Sequence, residues 1–124
     1  METEKVYTIQ MELRDEYLYV LVGGEQLTAA IAVSYWNEIA EKCVEIECRK
    51  ILIEKNFKET VSAEEMLRMA EHLGKLLPNR RIAFIDRYQH ENINELGKRL
   101  ARNRHVLMQT FDSVSAAERW LHAN

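Results

Sequence analysis

Two short apolar runs, Ile51-Leu52-Ile53 and Ile82-Ala83-Phe84-Ile85, constrain the fold more than any other feature of the chain. Each is too short for a helix. A nearly continuous apolar run of this length suits a central strand covered on both faces. Between and after them lie segments with apolar residues at helical spacing. The first carries Met66, Leu67, Ala70, Leu73 and Leu77, and the second carries Ile93, Leu96, Leu100 and Ala101. A strand that alternates with an amphipathic helix implies parallel pairing, with the helices packed on the sheet.

The rest of the chain extends this pattern. Val6–Leu13 alternates in polarity like a strand with one wet face, and Arg14-Asp15 reads as a tight turn. Tyr17–Val22 is aromatic and β-branched, as a second strand would be, so the two form an antiparallel hairpin. Gly23-Gly24 is expected to end it. A helix then spans Leu27 to Glu45, started near Gln26 or Thr28, with Ala32, Trp36, Ile39, Ala40 and Cys43 on its inner face. After the run Arg49–Glu54 a polar loop is expected over Lys55–Val61. Ser62 then begins a helix, with Glu65 three residues on in a capping-box pattern. Pro78-Asn79 stops that helix. A third helix covers Glu91–Asn103, acidic at its start and basic at its end, in agreement with the helix dipole. His105–Phe111 is the last strand. Asp112 or Ser113 caps a closing helix that turns Ala117, Trp120 and Leu121 inward. The expected class is α/β, in the order β-β-α-β-α-β-α-β-α, with a mixed five-stranded sheet in one domain over residues 1–124.

Composition fits this plan and removes several functions. The chain has 124 residues, 47% hydrophobic and 30% charged, with a net charge of −3. A domain of this size buries roughly two-thirds of its unfolded surface and folds without metal or disulfide. Interspersed charges of net negative sign offer no basic face for nucleic acid. The two cysteines, Cys43 and Cys48, match no redox or metal spacing and read as reduced, buried thiols. No apolar run approaches the roughly 18 residues of a membrane span, and no leader-type segment stands at the start, so the cytoplasm is the expected compartment.

Ligands in α/β sheets bind beyond the carboxyl ends of the parallel strands. In this chain those ends carry Lys55 and Asn56, then Asp86, Arg87, Tyr88 and His90, then Thr110 and Asp112. Asn56, Asp86, Arg87 and His90 are the candidate surface for a partner or ligand. Asp86, His90 and Ser62 include the residue types of an acid, a base and a nucleophile, but no G-x-S-x-G elbow accompanies them. The four histidines form no metal-ligand pair, and neither metal nor cofactor is expected.

Two stretches carry a family resemblance. In Ile51–Leu67 an apolar strand leads to a helix beginning at a hydroxyl residue. In Val106–Leu121 the run Leu107-Met108-Gln109-Thr110-Phe111-Asp112-Ser113 precedes a helix ending in Trp120-Leu121. With the element order, they resemble the STAS superfamily of anti-sigma-factor antagonists, and more closely its small stand-alone STAS/SEC14-like branch. The resemblance implies a non-enzymatic regulatory module with a protein partner. In the antagonists a serine at the start of the helix after the central strand is phosphorylated by the partner kinase, which releases the partner. The matching position is Ser62, with Thr60 second. The sequence around it is Thr60-Val61-Ser62-Ala63, where the antagonists have an Asp-Ser-Ser-Gly type of motif. The SEC14-like label implies the alternative, a small-molecule or lipid-binding domain. The edge strand Val6–Leu13 offers a route to a homodimer.

Overall fold

A computed structural model describes residues 6–123. Residues 1–5 and 124 of the expected 1–124 domain lie outside the described residues. The elements are β1 (Thr8–Arg14), β2 (Tyr17–Gln26), α1 (Ala29–Ile46), β3 (Lys50–Glu59), α2 (Ala63–Leu76), β4 (Arg81–Asp86), α3 (Glu91–Arg102), β5 (Leu107–Thr110) and α4 (Val114–His122). The sheet has five strands in the order β1-β2-β3-β4-β5. β1 and β2 are antiparallel, and every later pair is parallel. The α/β class, the hairpin start and the mixed sheet are as the sequence implied.

Period-two alternation divides the sheet into two apolar faces. Leu18, Val20, Val22, Ile51, Ile53, Ile82 and Phe84 pack on one side with residues of α1, α2 and α3, including Ile39, Trp36, Met66, Leu73 and Ala101. Tyr17, Tyr19, Leu52, Ala83 and Ile85 face the other side, where Ala117 and Leu121 of α4 cover them. β3 is thus buried on both faces, as its continuous apolar run requires. Each such side chain contributes about 1.5–3 kcal/mol on burial. The outward residues of β1, in contrast, are polar: Thr8, Gln10, Glu12 and Arg14.

The strand ends depart from expectation. Gly23-Gly24 does not end β2, which continues to Gln26 beside β3. A Cβ on Gly23 would stand 2.7 Å from the Asn56 carbonyl oxygen, so glycine here permits close approach of two strands. The polar segment expected as a loop from Lys55 is strand as far as Glu59. Pairing of Lys55, Asn56, Phe57 and Glu59 with Val22, Gly23, Gly24 and Gln26 outweighs their weak strand propensity. Leu67 was expected in the core but is exposed, because the inner face of α2 is formed by Met66, Met69, Ala70 and Leu73. The last strand is also shorter than His105–Phe111. His105 adopts a left-handed φ of 66° in the turn before it.

Caps follow the sequence more closely. Thr28, Ser62 and Ser113 each accept a hydrogen bond from the backbone amide three residues on. α1 ends in a left-handed Glu47, with Cys48 N–H donating to the Cys43 carbonyl at 3.0 Å and Glu47 N–H to Val44. This doubled return is the Schellman arrangement. Both cysteines are free and buried.

Candidate functional site

Strand order explains where a site can form. Helices α1 to α3 lie on one face of the sheet and α4 on the other. The layer therefore changes sides between α3 and α4. A groove of about 780 Å³ opens there, beyond the carboxyl ends of β4 and β5. Its lining includes Asp86, Glu91, Asn94, Glu95, Thr110, Asp112 and Ser113. The rim is acidic, and the first turns of α3 and α4 both face it.

Asp86 is the hub of this edge. Its side chain is only 4% exposed. It accepts hydrogen bonds from the Tyr88 and His90 amides at 3.0 and 2.9 Å and from Asn94 Nδ2 at 2.8 Å. His90 Nδ1 lies 2.8 Å away. Burial alone would raise the Asp86 carboxyl, but the hydrogen bonds from Asn94, the two amides and the His90 ring offset it and hold the group below its ordinary value. The other His90 nitrogen, Nε2, is 3.2 Å from the Lys58 carbonyl oxygen. Both ring nitrogens thus face acceptors, so His90 bridges the end of β3 to the β4–α3 turn. Between Asp86 and His90, Gln89 takes a left-handed φ of 54°. That conformation costs a non-glycine residue on the order of 1 kcal/mol.

Arg87 turns the opposite way. Its Nε donates to Glu54 at 3.0 Å, and Glu54 also accepts from the Tyr19 hydroxyl at 2.6 Å. Burial, followed by this hydrogen bond, pushes the Tyr19 hydroxyl up to about 12. Arg14 stacks over the Tyr19 ring at 3.7 Å. Asn56 lies in β3 opposite Gly23 rather than in a loop.

Around Ser62 the geometry differs from a closed capping box. Ser62 Oγ accepts from the Glu65 amide at 3.2 Å. The Glu65 carboxylate does not return to Ser62. It accepts instead from the Ala29 amide, at 3.1 Å, in the first turn of α1. One residue thus joins the starts of two helices. Gln26 Nε2 donates to the Thr60 carbonyl at 3.2 Å. Ser62 is exposed and Thr60 half-buried.

The structure thus brings Asp86 and His90 together and gives Arg87 a separate partner across the sheet. It leaves Ser62 and Thr60 in a cluster of their own. No triad forms, because His90 Nε2 faces a backbone carbonyl and Ser62 Oγ caps its own helix. Sequence reasoning missed Lys55, Glu54 and Asn94. The signal for Lys55 was the alternation Ile51, Ile53, Lys55, Phe57, which points the lysine to the α1–α3 side. Lys55 is 4% exposed, and burial lowers its ammonium to about 8 against the opposing charge of Asp86.

No protein-family profile matches the chain. No curated protein matches it in sequence. Solved structures do match. An anti-sigma factor antagonist from Mycobacterium paratuberculosis superposes with a TM-score of 0.60 at 13% identity, over 94% of each chain. The fold is STAS-like. An uncharacterised protein with a SpoIIAA-like fold from Shewanella loihica PV-4 matches with a TM-score of 0.56 at 18% identity, over 98% of each chain. Ser62 stands at the start of α2, the helix that follows the central strand β3. Among the described residues, no helix is long and apolar enough to cross a membrane.

Proposed function

We propose that this chain is a non-enzymatic regulatory module of the cytoplasm that binds a protein partner. Its contact surface is the end of β3 from Asn56 with the first turn of α2, flanked by the Asp86–His90 turn. The observation that carries this reading is the exposed Ser62 at the α2 N-terminus, which the resemblance to the STAS antagonists matches to their phosphorylated serine. Free amides and the helix dipole favour a phosphate at such a place. Glu59, Glu64 and Glu65 are near in sequence, and like-charge repulsion from them opposes a phosphate at this place.

Incubation with ATP and extract of the source cells, followed by mass spectrometry of the peptide containing Thr60 and Ser62, tests the switch. The expected result is phosphate on Ser62, with Ser62→Asp releasing a partner that wild type and Ser62→Ala retain in pull-down. An unmodified peptide, together with a Ser62→Asp variant that keeps every partner, would refute it.

A further inference from the structure

A cavity of about 40 Å³ lies within the core between the sheet, α2 and α3. Its walls are mostly apolar and include Met66, Met69 and Met108. Methionine walls adapt to irregular shapes. Three polar side chains reach the same space: Lys55 from β3, Tyr35 from α1 and Asn94 from α3. Asn94 Oδ1 is buried without a hydrogen-bond partner, while the other end of the amide is held by Asp86. Lys55 makes no side-chain hydrogen bond among the described residues. Its nitrogen stands 4.9 Å from the centre of the Phe84 ring. An amine and an unused acceptor in an apolar cavity resemble a ligand pocket more than a packing solution.

We propose that this cavity binds short-chain aldehydes and that Lys55 captures them as an imine. The neutral amine nitrogen attacks the carbonyl carbon, and one amine proton passes to the oxygen to give a carbinolamine. The oxygen then leaves as water with the second amine proton, and the carbon–nitrogen double bond remains. No oxidant or reductant takes part. Asn94 Oδ1, an unused acceptor lining the same cavity, would accept a hydrogen bond from the carbinolamine hydroxyl, and the apolar walls disfavour hydrolysis. The size of the cavity limits the class to a few non-hydrogen atoms. Burial supplies the nucleophile: with its ammonium lowered to about 8, Lys55 holds far more free amine at neutral pH than an exposed lysine. The cavity meets the flank of the surface assigned to the protein partner through Asn94, which donates to Asp86, but lysine labelling and partner pull-down are independent readouts, so either reading can fail alone.

The test is reductive trapping of the intact protein with acetaldehyde and sodium cyanoborohydride at neutral pH, followed by peptide mapping. Lys58, whose side chain is 60% exposed, is the internal reference. The expected result is ethylation of Lys55 at least about tenfold faster than of Lys58, as each pH unit of lowered basicity gives tenfold more free amine. In denaturant that preference should vanish. Labelling of Lys55 no faster than Lys58 in the native protein would overturn the proposal, whatever any variant does. In a folded Lys55→Met variant, the fast phase moving undiminished to another lysine would also overturn it.

Discussion

Replacing Lys55 with methionine should stabilise the protein at neutral pH. The two side chains have similar length, and methionine suits the cavity walls, so the main change is removal of a buried ammonium. The fall from an ordinary 10.5 to about 8 measures the cost of burying that charge. At 1.36 kcal/mol per pH unit, it amounts to about 3 kcal/mol. The cost is fully present below about pH 8, where both folded and unfolded lysine carry the proton. Between about 8 and 10.5 the unfolded chain binds more protons than the folded one, so wild-type stability from this group rises with pH. Other groups act in the opposite sense. Burial pushes the Cys43 thiol up to about 11 and the Tyr19 hydroxyl up to about 12, so both favour the unfolded state as alkalinity ionises it there. These groups are common to both proteins and cancel in the difference. Urea unfolding of wild type and Lys55→Met, followed by circular dichroism, should show the variant more stable by up to about 3 kcal/mol near pH 7, with the gap narrowing toward pH 10. A variant no more stable than wild type at neutral pH, or a gap that does not change with pH, would refute the reasoning.

Four further outcomes are expected. Ser62→Ala should lose about 1 kcal/mol through the missing α2 cap, read from the urea midpoint. Glu65→Ala should lose about 1–2 kcal/mol and speed hydrogen exchange at the Ala29 amide, which the carboxylate holds at 3.1 Å. Gly23→Ala forces a Cβ to within 2.7 Å of the Asn56 carbonyl and should cost about 1–3 kcal/mol in thermal or urea unfolding. The Asp86 carboxyl is held below its ordinary value, so its contribution is complete above the unfolded carboxylate range and is lost as pH falls through the lowered value. Asp86→Asn should therefore be less stable at neutral pH and show a flatter acid limb in pH-dependent unfolding.

The fold was legible because its signals were local. Apolar runs at Ile51 and Ile82 marked the buried strands, and Ser62 marked a helix start, while Gln26 or Thr28 and Asp112 or Ser113 narrowed two others to neighbouring residues, of which Thr28 and Ser113 are the caps. Strand ends were less legible. Lys55, Asn56 and Gly23 look like turn or loop residues, and only their pairing across β2 and β3 keeps them extended. The site was read in part. Asp86 and His90 are close in sequence, so their contact was within reach of a local argument. The bond from Glu65 to Ala29 and that from Arg87 to Glu54 join residues far apart in the chain, and no local pattern encodes them. Lys55 was hidden because a charged residue after an apolar run reads as the strand's exit into water.

The sheet order also governs how the chain can assemble. Every strand lies beside the one that precedes it in sequence. Each parallel pairing therefore closes a loop no longer than one helix and its turns, and no strand waits for a distant segment to arrive. Loop-closure entropy stays small at each step, and sequence separation between contacts stays low for a sheet that is largely parallel. Growth can begin at the β1–β2 hairpin and add one strand with its helix at a time, in the order in which a ribosome would release them.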